Sequence, residues 1–423
     1  MKLSIAMIVK DEEKNLPRCL DSIKPLLEMG VQLVVVDTGS SDRTMEIAEE
    51  YGAELYQHPW ERNFAKHRNQ SFSYCKRADW IFQLDADETL DLKGRNFALL
   101  FDMLTKIPDK FNAAAATMID WRQGSAHAET HAVRFFRRGK VRYQRRAHND
   151  PVYKGEAVIL PSVFMNHYGY DLSAADMKKK AERTISILEE MLAEDPADYD
   201  SMFYLAQCYG SWLKDKEKCL EYAILYYEHM EEIQKEDPVS FNTSVFYLIA
   251  SICFSLKEHQ ECWKWIEIAL KHIPGDLDIC HLMLMLGLAT KNPQITALGS
   301  RGYVNAFDKY EDNRAKKGAR FTFHYNTSAL AFALYHLTTT YLEQGRANAD
   351  RMFEILNRPE IEQEYRDDLN KGFADNLAKM GLEYDRSRTV SVDPNKVQSA
   401  SRIITPERTL NPSAIPKIIR ASS

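Results

Sequence analysis

Three apolar runs near the start of this chain each end in acid. Leu3-Ser4-Ile5-Ala6-Met7-Ile8-Val9 gives way to Lys10-Asp11-Glu12, Gln32-Leu33-Val34-Val35-Val36 to Asp37, and Trp80-Ile81-Phe82-Gln83-Leu84 to Asp85-Ala86-Asp87. If the runs are strands of one parallel sheet, the acids meet in the crevice beyond the strands' carboxyl ends, where open α/β sheets bind ligands. So much negative charge in one place is costly unless a cation or hydrogen-bond donors offset it. A dinucleotide arrangement is excluded, because no GxGxxG follows the first run. The chemistry that suits such a crevice is a divalent ion with carboxylates on one side and diphosphate oxygens on the other.

The Asp-x-Asp spacing carries little by itself, because it occurs three times: Asp85/Asp87, Asp198/Asp200 and Asp276/Asp278. The second and third follow Pro196 and Pro274 at expected helix starts, where Asp is a good cap. Only the first leaves an apolar strand.

The elements that must position these acids alternate between strand and helix. An amphipathic helix is expected from about residue 13 to 27, closed by Gly30, and a second opens after Ser41 or Asp42 as its N-cap. Ala53-Glu54-Leu55-Tyr56 reads as a further strand and the stretch from Phe64 to Cys75 as a helix. This order implies an α/β fold, a mostly parallel sheet with helices on both faces.

After Tyr170 the pattern is helical throughout. The segments around Phe203-Tyr204-Leu205-Ala206 and Phe246-Tyr247-Leu248-Ile249 look alike, and each is followed by a charged turn and a second helix that ends near proline. Helix pairs of this kind are the signature of tetratricopeptide-like repeats, with Tyr204, Phe246 and Trp263 as interlocking core. The expected organisation is an α/β domain over 1–170, an all-α repeat domain over 171–389 and an extended or disordered tail over 390–423. Lys178-Lys179-Lys180 reads as a solvated first helical turn.

The net charge of -6 argues against a nucleic-acid footprint over the whole chain. The cysteines number seven, an odd count, and show no metal-ligand spacing, which suits a reducing compartment. No stretch approaches the ~18 apolar residues of a membrane helix, and the apolar start is too short for a signal peptide. A cytoplasmic protein without a membrane partner is the expectation.

Four segments together carry a family likeness. Ala6-Met7-Ile8-Val9-Lys10-Asp11-Glu12-Glu13, Val36-Asp37-Thr38-Gly39-Ser40-Ser41-Asp42-Arg43-Thr44, Trp60 with Arg68-Asn69, and Asp79-Trp80-Ile81-Phe82-Gln83-Leu84-Asp85-Ala86-Asp87-Glu88 resemble the family 2 glycosyltransferases of the GT-A fold. Order and spacing match over roughly the first ninety residues. Within that family the chain is most similar to the bacterial branch with C-terminal tetratricopeptide repeats, which includes enzymes that glycosylate bacteriocin peptides on cysteine. Arg134-Phe135-Phe136-Arg137, Ala147-His148-Asn149-Asp150 and Asn166-His167-Tyr168-Gly169-Tyr170 also resemble that branch. One departure is visible: Asp11-Glu12 stands where many members have Asn-Glu.

The resemblance implies a UDP-sugar donor, carrying a hexose or N-acetylhexosamine, and a Mn²⁺ or Mg²⁺ ion. Asp37 would hydrogen-bond the uracil, Glu12 would lie near ribose or base, Arg68 would approach the nucleotide and Asp85 would contact ribose. Asp87 would ligate the metal beside Asp85, with His148 or His167 as a further ligand. Inversion follows from the family, hence a single displacement in which a general base takes the acceptor proton. Asp150 is the first choice of base, with Glu129 and Asp120 behind it. The acceptor implied is a peptide or protein side chain, a thiol needing least help because its pKa is already ~8.5. A glycan or other non-protein acceptor is the alternative. The repeats would bind the acceptor or join two copies as a homodimer. A competing reading from another class is an inactive repeat scaffold, against which the intact Asp37, Asp85 and Asp87 speak. A nucleotidyltransferase would show a Gly-rich basic loop where Asp11-Glu12-Glu13 stand.

Overall fold

The computed structural model describes residues 1–92, 97–122, 124–236, 241–314 and 327–340, with short pieces at 351–352, 355, 367–369, 371, 383–385 and 388–391. Contacts divide the chain into two compact units, Met1–Asp215 and Lys216–Ser423. The first unit thus runs past residue 170, where the sequence suggests the α/β domain ends, and takes in the first helices of the helical part.

The core of the first unit is an eight-stranded sheet. In spatial order it comprises β3 (Glu54–Gln57), β2 (Gln32–Asp37), β1 (Leu3–Val9), β4 (Trp80–Gln83), β7 (Ser125–Arg137), β6 (Ala113–Arg122), β10 (Ala157–His167) and β5 (Glu88–Leu92). β1 to β4 run parallel, with Ile5 paired to both Leu33 and Phe82. Leu33 to Val36 are buried on both faces, which is why that strand reads as an unbroken apolar run. β7 is antiparallel to β4 and β6, β10 is parallel to β6, and β5 closes the edge antiparallel to β10. The helices α1 (Leu16–Glu28), α2 (Thr44–Glu50), α3 (Phe64–Tyr74) and α4 (Phe97–Lys106) connect the strands. α1 buries Leu16, Cys19, Leu20, Ile23 and Leu26, one stripe at helical spacing, in a core shared with Met7, Val35, Phe82 and Phe135.

A two-stranded hairpin, β8 (Val141–Gln144) with β9 (Asp150–Tyr153), precedes α5 (Ala174–Glu194), α6 (Tyr199–Gln207) and a π-helical turn over Cys208–Leu213. Ser173 caps α5 by accepting from the Asp176 amide. Arg62 binds Ser186 and Glu190 of α5, each at 2.8 Å, and Arg145 binds Asp198 at 2.6 Å. These bonds tie α5 and α6 to the α/β part.

The second unit contains α7 (Lys216–Glu228), α8 (Met230–Glu236), α9 (Ser244–Ser255), α10 (His259–His272), α11 (Leu277–Ala289), α12 (Pro293–Arg314) and α13 (Thr327–Thr340). It also holds a small hairpin of β11 (Glu383–Asp385) and β12 (Arg388–Ser391). α9/α10 and α11/α12 are joined by short turns in which Lys257 and Lys291 take φ of 62° and 53°, one mark of the repeat. α11 and α12 cross so closely that a Cβ on Gly299 would lie 2.2 Å from the Leu284 amide nitrogen. Phe246 is buried, as expected of repeat core. Of the tail expected over 390–423, residues 390 and 391 end β12 and the rest lies outside the described residues. Among the described residues, no helix is long and apolar enough to cross a membrane.

Candidate active site

Parallel pairing places Val9 beside Asp37, so the loops after β1 and β2 leave the sheet together. They are laced into one rim. The Asp11 carboxylate accepts from the Ser41 amide at 2.7 Å, and the Glu12 amide donates to Thr44 Oγ1 at 2.7 Å. Asp37 is buried and accepts from the amides of Gly39 and Ser40, a turn that fixes its carboxylate in place. Glu12 accepts from Asn15 at 2.9 Å. Burial pushes the Glu12 carboxyl up to about 7, with Asn15 pulling against it and Asp87 and Asp85 adding to the rise.

At the exit of β4 the two carboxylates of the Asp-x-Asp pair face different partners. Asp85 accepts from Arg68 Nη2 at 2.9 Å and from Gln83 at 3.0 Å. Burial would raise its pKa, but Arg68, Arg134 and His167 outweigh burial and hold Asp85 well below the usual carboxylate range. The Asp85 amide donates to Glu88, whose buried carboxylate is gripped by Arg134 at 2.7 Å. Arg68 and Arg134 therefore neutralise Asp85 and Glu88, and Arg68 keeps Nε and Nη1 without a hydrogen-bond partner.

Asp87 faces His167. Sheet register brings this about, since His167 at the end of β10 pairs with Asp120 of β6 on one side and Glu88 of β5 on the other. His167 Nδ1 and Asp120 Oδ1 lie 2.6 Å apart, and His167 Nε2 lies 3.8 Å from Asp87 Oδ2. Burial would lower the imidazole pKa, but the Asp120 bond and the nearby Asp87 and Glu88 raise it. Gly169 leaves open the gap between them: a Cβ there would stand 2.3 Å from Asp87 Oδ2 and 2.5 Å from His167 Nε2.

These residues fit a divalent cation. A carboxylate oxygen and an imidazole nitrogen border one space that only glycine leaves free, and a carboxylate orients the imidazole from behind, as in many metal sites. Among the described residues no three such side chains gather into a complete ligand set. The remaining positions suit diphosphate oxygens and water, the usual arrangement for Mg²⁺ with nucleotides.

The other candidates have other partners. The structure stacks the His148 ring on Tyr204, with centroids 3.9 Å apart and planes 3° apart, rather than beside Asp87. Burial, with Arg145 adding, pushes His148 down to about 4. Asp150 opens β9 opposite Gln144, and its carboxyl is raised by burial and by Asp200. Glu129 lies on β7 opposite Ile119, its side chain outside the described residues. Asp120 is engaged by His167. Asp198 and Asp276 cap α6 and α11 by accepting from Ser201 and Ile279, so the second and third Asp-x-Asp pairs are helix starts, as expected.

Two features were not anticipated. The Glu88–Arg134 pair was hidden because its members lie far apart in sequence. Lys180 was read as solvated, yet it is 27% exposed beside 67% and 79% for Lys178 and Lys179, and its Nζ lies 4.0 Å from Asp87 Oδ2. α5 buries Thr184 and Ile187, four and seven residues on, but Ala181 and Ile185 stand similarly to the exposed Lys178, so spacing alone does not single out Lys180.

Residues 4–157 match the family described as Glycosyl transferase family 2. A TPR repeat-containing protein of Synechococcus elongatus is 35% identical over 211 residues, 47% of this chain and 49% of that protein. The SPbeta prophage-derived glycosyltransferase SunS of Bacillus subtilis is 21% identical over 305 residues, 70% of this chain and 69% of the relative. The chain thus spans about half the length of the first of these relatives. Among solved structures, S. aureus TarS 1-349 in complex with UDP is similar at 14% identity, over 76% of this chain and 94% of that chain, with a TM-score of 0.31.

Proposed function

We propose that this chain, whose residues 4–157 match the glycosyltransferase family 2 model, moves a hexose or N-acetylhexosamine from a UDP-sugar to a peptide or protein side chain. The observation that carries this reading is the Asp87–His167 pair around the space that Gly169 keeps free. Asp87 and His167 Nε2 would hold Mn²⁺ or Mg²⁺. When bound, the cation supplies charge stabilisation to the departing diphosphate.

The chain's own residues do the rest. Asp120 holds the His167 ring with Nε2 toward Asp87, which leaves Asp120 unsuited to act as base. Asp85, kept ionised by Arg68, accepts a hydrogen bond from the donor's ribose, and the spare N–H groups of Arg68 lie beside it. Asp37 and Glu12 line the base and ribose end of the rim. Transfer with inversion joins the acceptor atom to the anomeric carbon as the bond to the diphosphate breaks, and a carboxylate takes the acceptor proton. Asp150, an exposed carboxylate at the start of β9, is the first choice, with Glu129 behind it. The helical repeats support a peptide or protein acceptor, since such arrays offer extended surfaces to chains, or to a second copy of this one.

The test is UDP release from a panel of nucleotide-sugars by the full chain, with and without Mn²⁺. Slow metal-dependent hydrolysis of one UDP-sugar is the expected result. No turnover of any donor, and none with added peptide, would favour the scaffold reading.

A further inference from the structure

Charge in the donor crevice does not balance within the sheet. Arg68 takes up Asp85, Arg134 takes up Glu88, and His167 binds Asp120. Asp87, besides His167 Nε2 at 3.8 Å, and Glu12, besides Asn15 at 2.9 Å, also face cations that come from α5. Lys180 Nζ lies 4.0 Å from Asp87 Oδ2, donates to the Gly169 carbonyl at 3.0 Å, and stands 5.2 Å from the centre of the Tyr170 ring. Arg183, one turn further on, is attracted by Glu12 and lies over the Phe64 ring. Ser186 and Glu190, further along the helix, bind Arg62 and hold it against the α/β part.

An ammonium in front of a metal-holding carboxylate is unfavourable if the metal comes alone. Lysine and cation then compete for one oxygen and repel each other at short range. A diphosphate removes the conflict, because its oxygens take the cation on one side and the ammonium on the other. Lysine is a well-used point charge for phosphate groups.

We propose that Lys180 binds the diphosphate of the nucleotide-sugar, so that α5, the first helix beyond the sheet, completes the donor site. This rests on the transferase reading above. The ammonium shifts from Asp87 toward the phosphate oxygens as donor and cation enter together, and it helps to neutralise UDP as it leaves. The donor site is therefore incomplete in the sheet alone and needs the helical segment that follows it.

Calorimetric titration of the full chain, Lys180→Met and Lys180→Arg with Mn²⁺ alone, with uridine, and with UDP plus Mn²⁺ tests this. The expected result for Lys180→Met is a loss of about tenfold in UDP affinity and less than about twofold in uridine affinity. Mn²⁺ alone should bind equally or more tightly, because Asp87 has lost a competitor. Lys180→Arg should recover most of the UDP affinity. Lys180→Gln, which keeps a hydrogen-bonding stem without the charge, carries the same expectation if the methionine variant is unstable. Unchanged UDP affinity, an equal loss for uridine and UDP, or weaker Mn²⁺ binding would overturn the proposal. A wild-type chain that binds no UDP with Mn²⁺ would remove the transferase reading and this proposal together, whereas normal wild-type binding with an unaltered variant removes only the latter.

Discussion

The same two-carboxylate spacing serves two ends in this molecule. In the helical unit, Asp276 caps α11 and Asp278 lies buried two residues on, so the pair starts a helix. In the first unit, Asp85 and Asp87 follow a buried parallel strand, and each turns to a different partner, Asp85 to Arg68 and Asp87 to His167. Short spacing is cheap in sequence, and the element that precedes it decides what it does. The two units also hold their interiors differently. The helical unit packs Leu284, Tyr303 and Phe307 in apolar contact, whereas the α/β unit sets the half-buried Arg68, Asp85 and Arg134 around the buried Glu88 as a charge network.

The sharpest way to break that comparison is to damage each interior once. Arg134→Met leaves Glu88 buried without its partner and should cost about 3–5 kcal/mol of stability. Leu284→Ala should cost about 2–5 kcal/mol through a cavity. Urea unfolding separates them by pH: the Arg134→Met loss should shrink in acid, where Glu88 protonates, and the Leu284→Ala loss should not. Equal pH responses would mean that the network is not held by charge.

Gly169→Ala is next in size. Its methyl group enters the space between Asp87 and His167, so Mn²⁺ affinity should fall by about 10–100-fold, as for altered metal surroundings generally. Gly275→Ala in the helical unit, strained by its φ of 72° although nothing lies within 4 Å of the added carbon, should cost stability but leave Mn²⁺ titrations as they were. Metal binding untouched by Gly169→Ala would place the cation elsewhere.

Glu12 gives a smaller effect with a definite sign. Its folded pKa of about 7 lies above the ordinary 4.5, so the folded chain holds the extra proton between those values. That contribution to stability is fully present below about 4.5 and is lost as pH rises through about 7. Thermal midpoints of wild type should therefore fall relative to Glu12→Gln across that window, on the order of a few °C. A constant gap between the two would show that Glu12 titrates normally. Smallest is Asp276→Ala, where loss of a cap should cost about 1 kcal/mol and leave UDP release unchanged.

The parallel half of the sheet was legible because its strands are buried on both faces and read as unbroken apolar runs, as in Leu33 to Val36. The antiparallel half was not. β5, with Glu88 and Asp91 in its short run, looks like a turn to any rule based on apolar patterning, and so does β9 of the separate hairpin, which opens on Asp150-Pro151. Asp37, Asp85 and Asp87 were visible as strand-end acids, but their partners come from register and tertiary packing. His167 meets Asp120 only because β10 pairs with β6 in one alignment, and no local feature of Asn166-His167-Tyr168 encodes it. Lys178 and Lys180 both flank the apolar stripe of α5. What distinguishes Lys180 is where Asp87 and Gly169 lie, which the helix's own sequence cannot show.

The central claim is that Asp87 and His167 together hold the cation that fastens the donor's diphosphate. UDP binding by the full chain, with and without Mn²⁺, tests it most directly when run beside Asp87→Ala and His167→Ala. The account predicts tight binding only with Mn²⁺, loss of that metal dependence in both variants, and thermal midpoints that stay near wild type without ligand. Equally tight UDP binding in the absence of metal, or full metal-dependent binding in either variant, would contradict it.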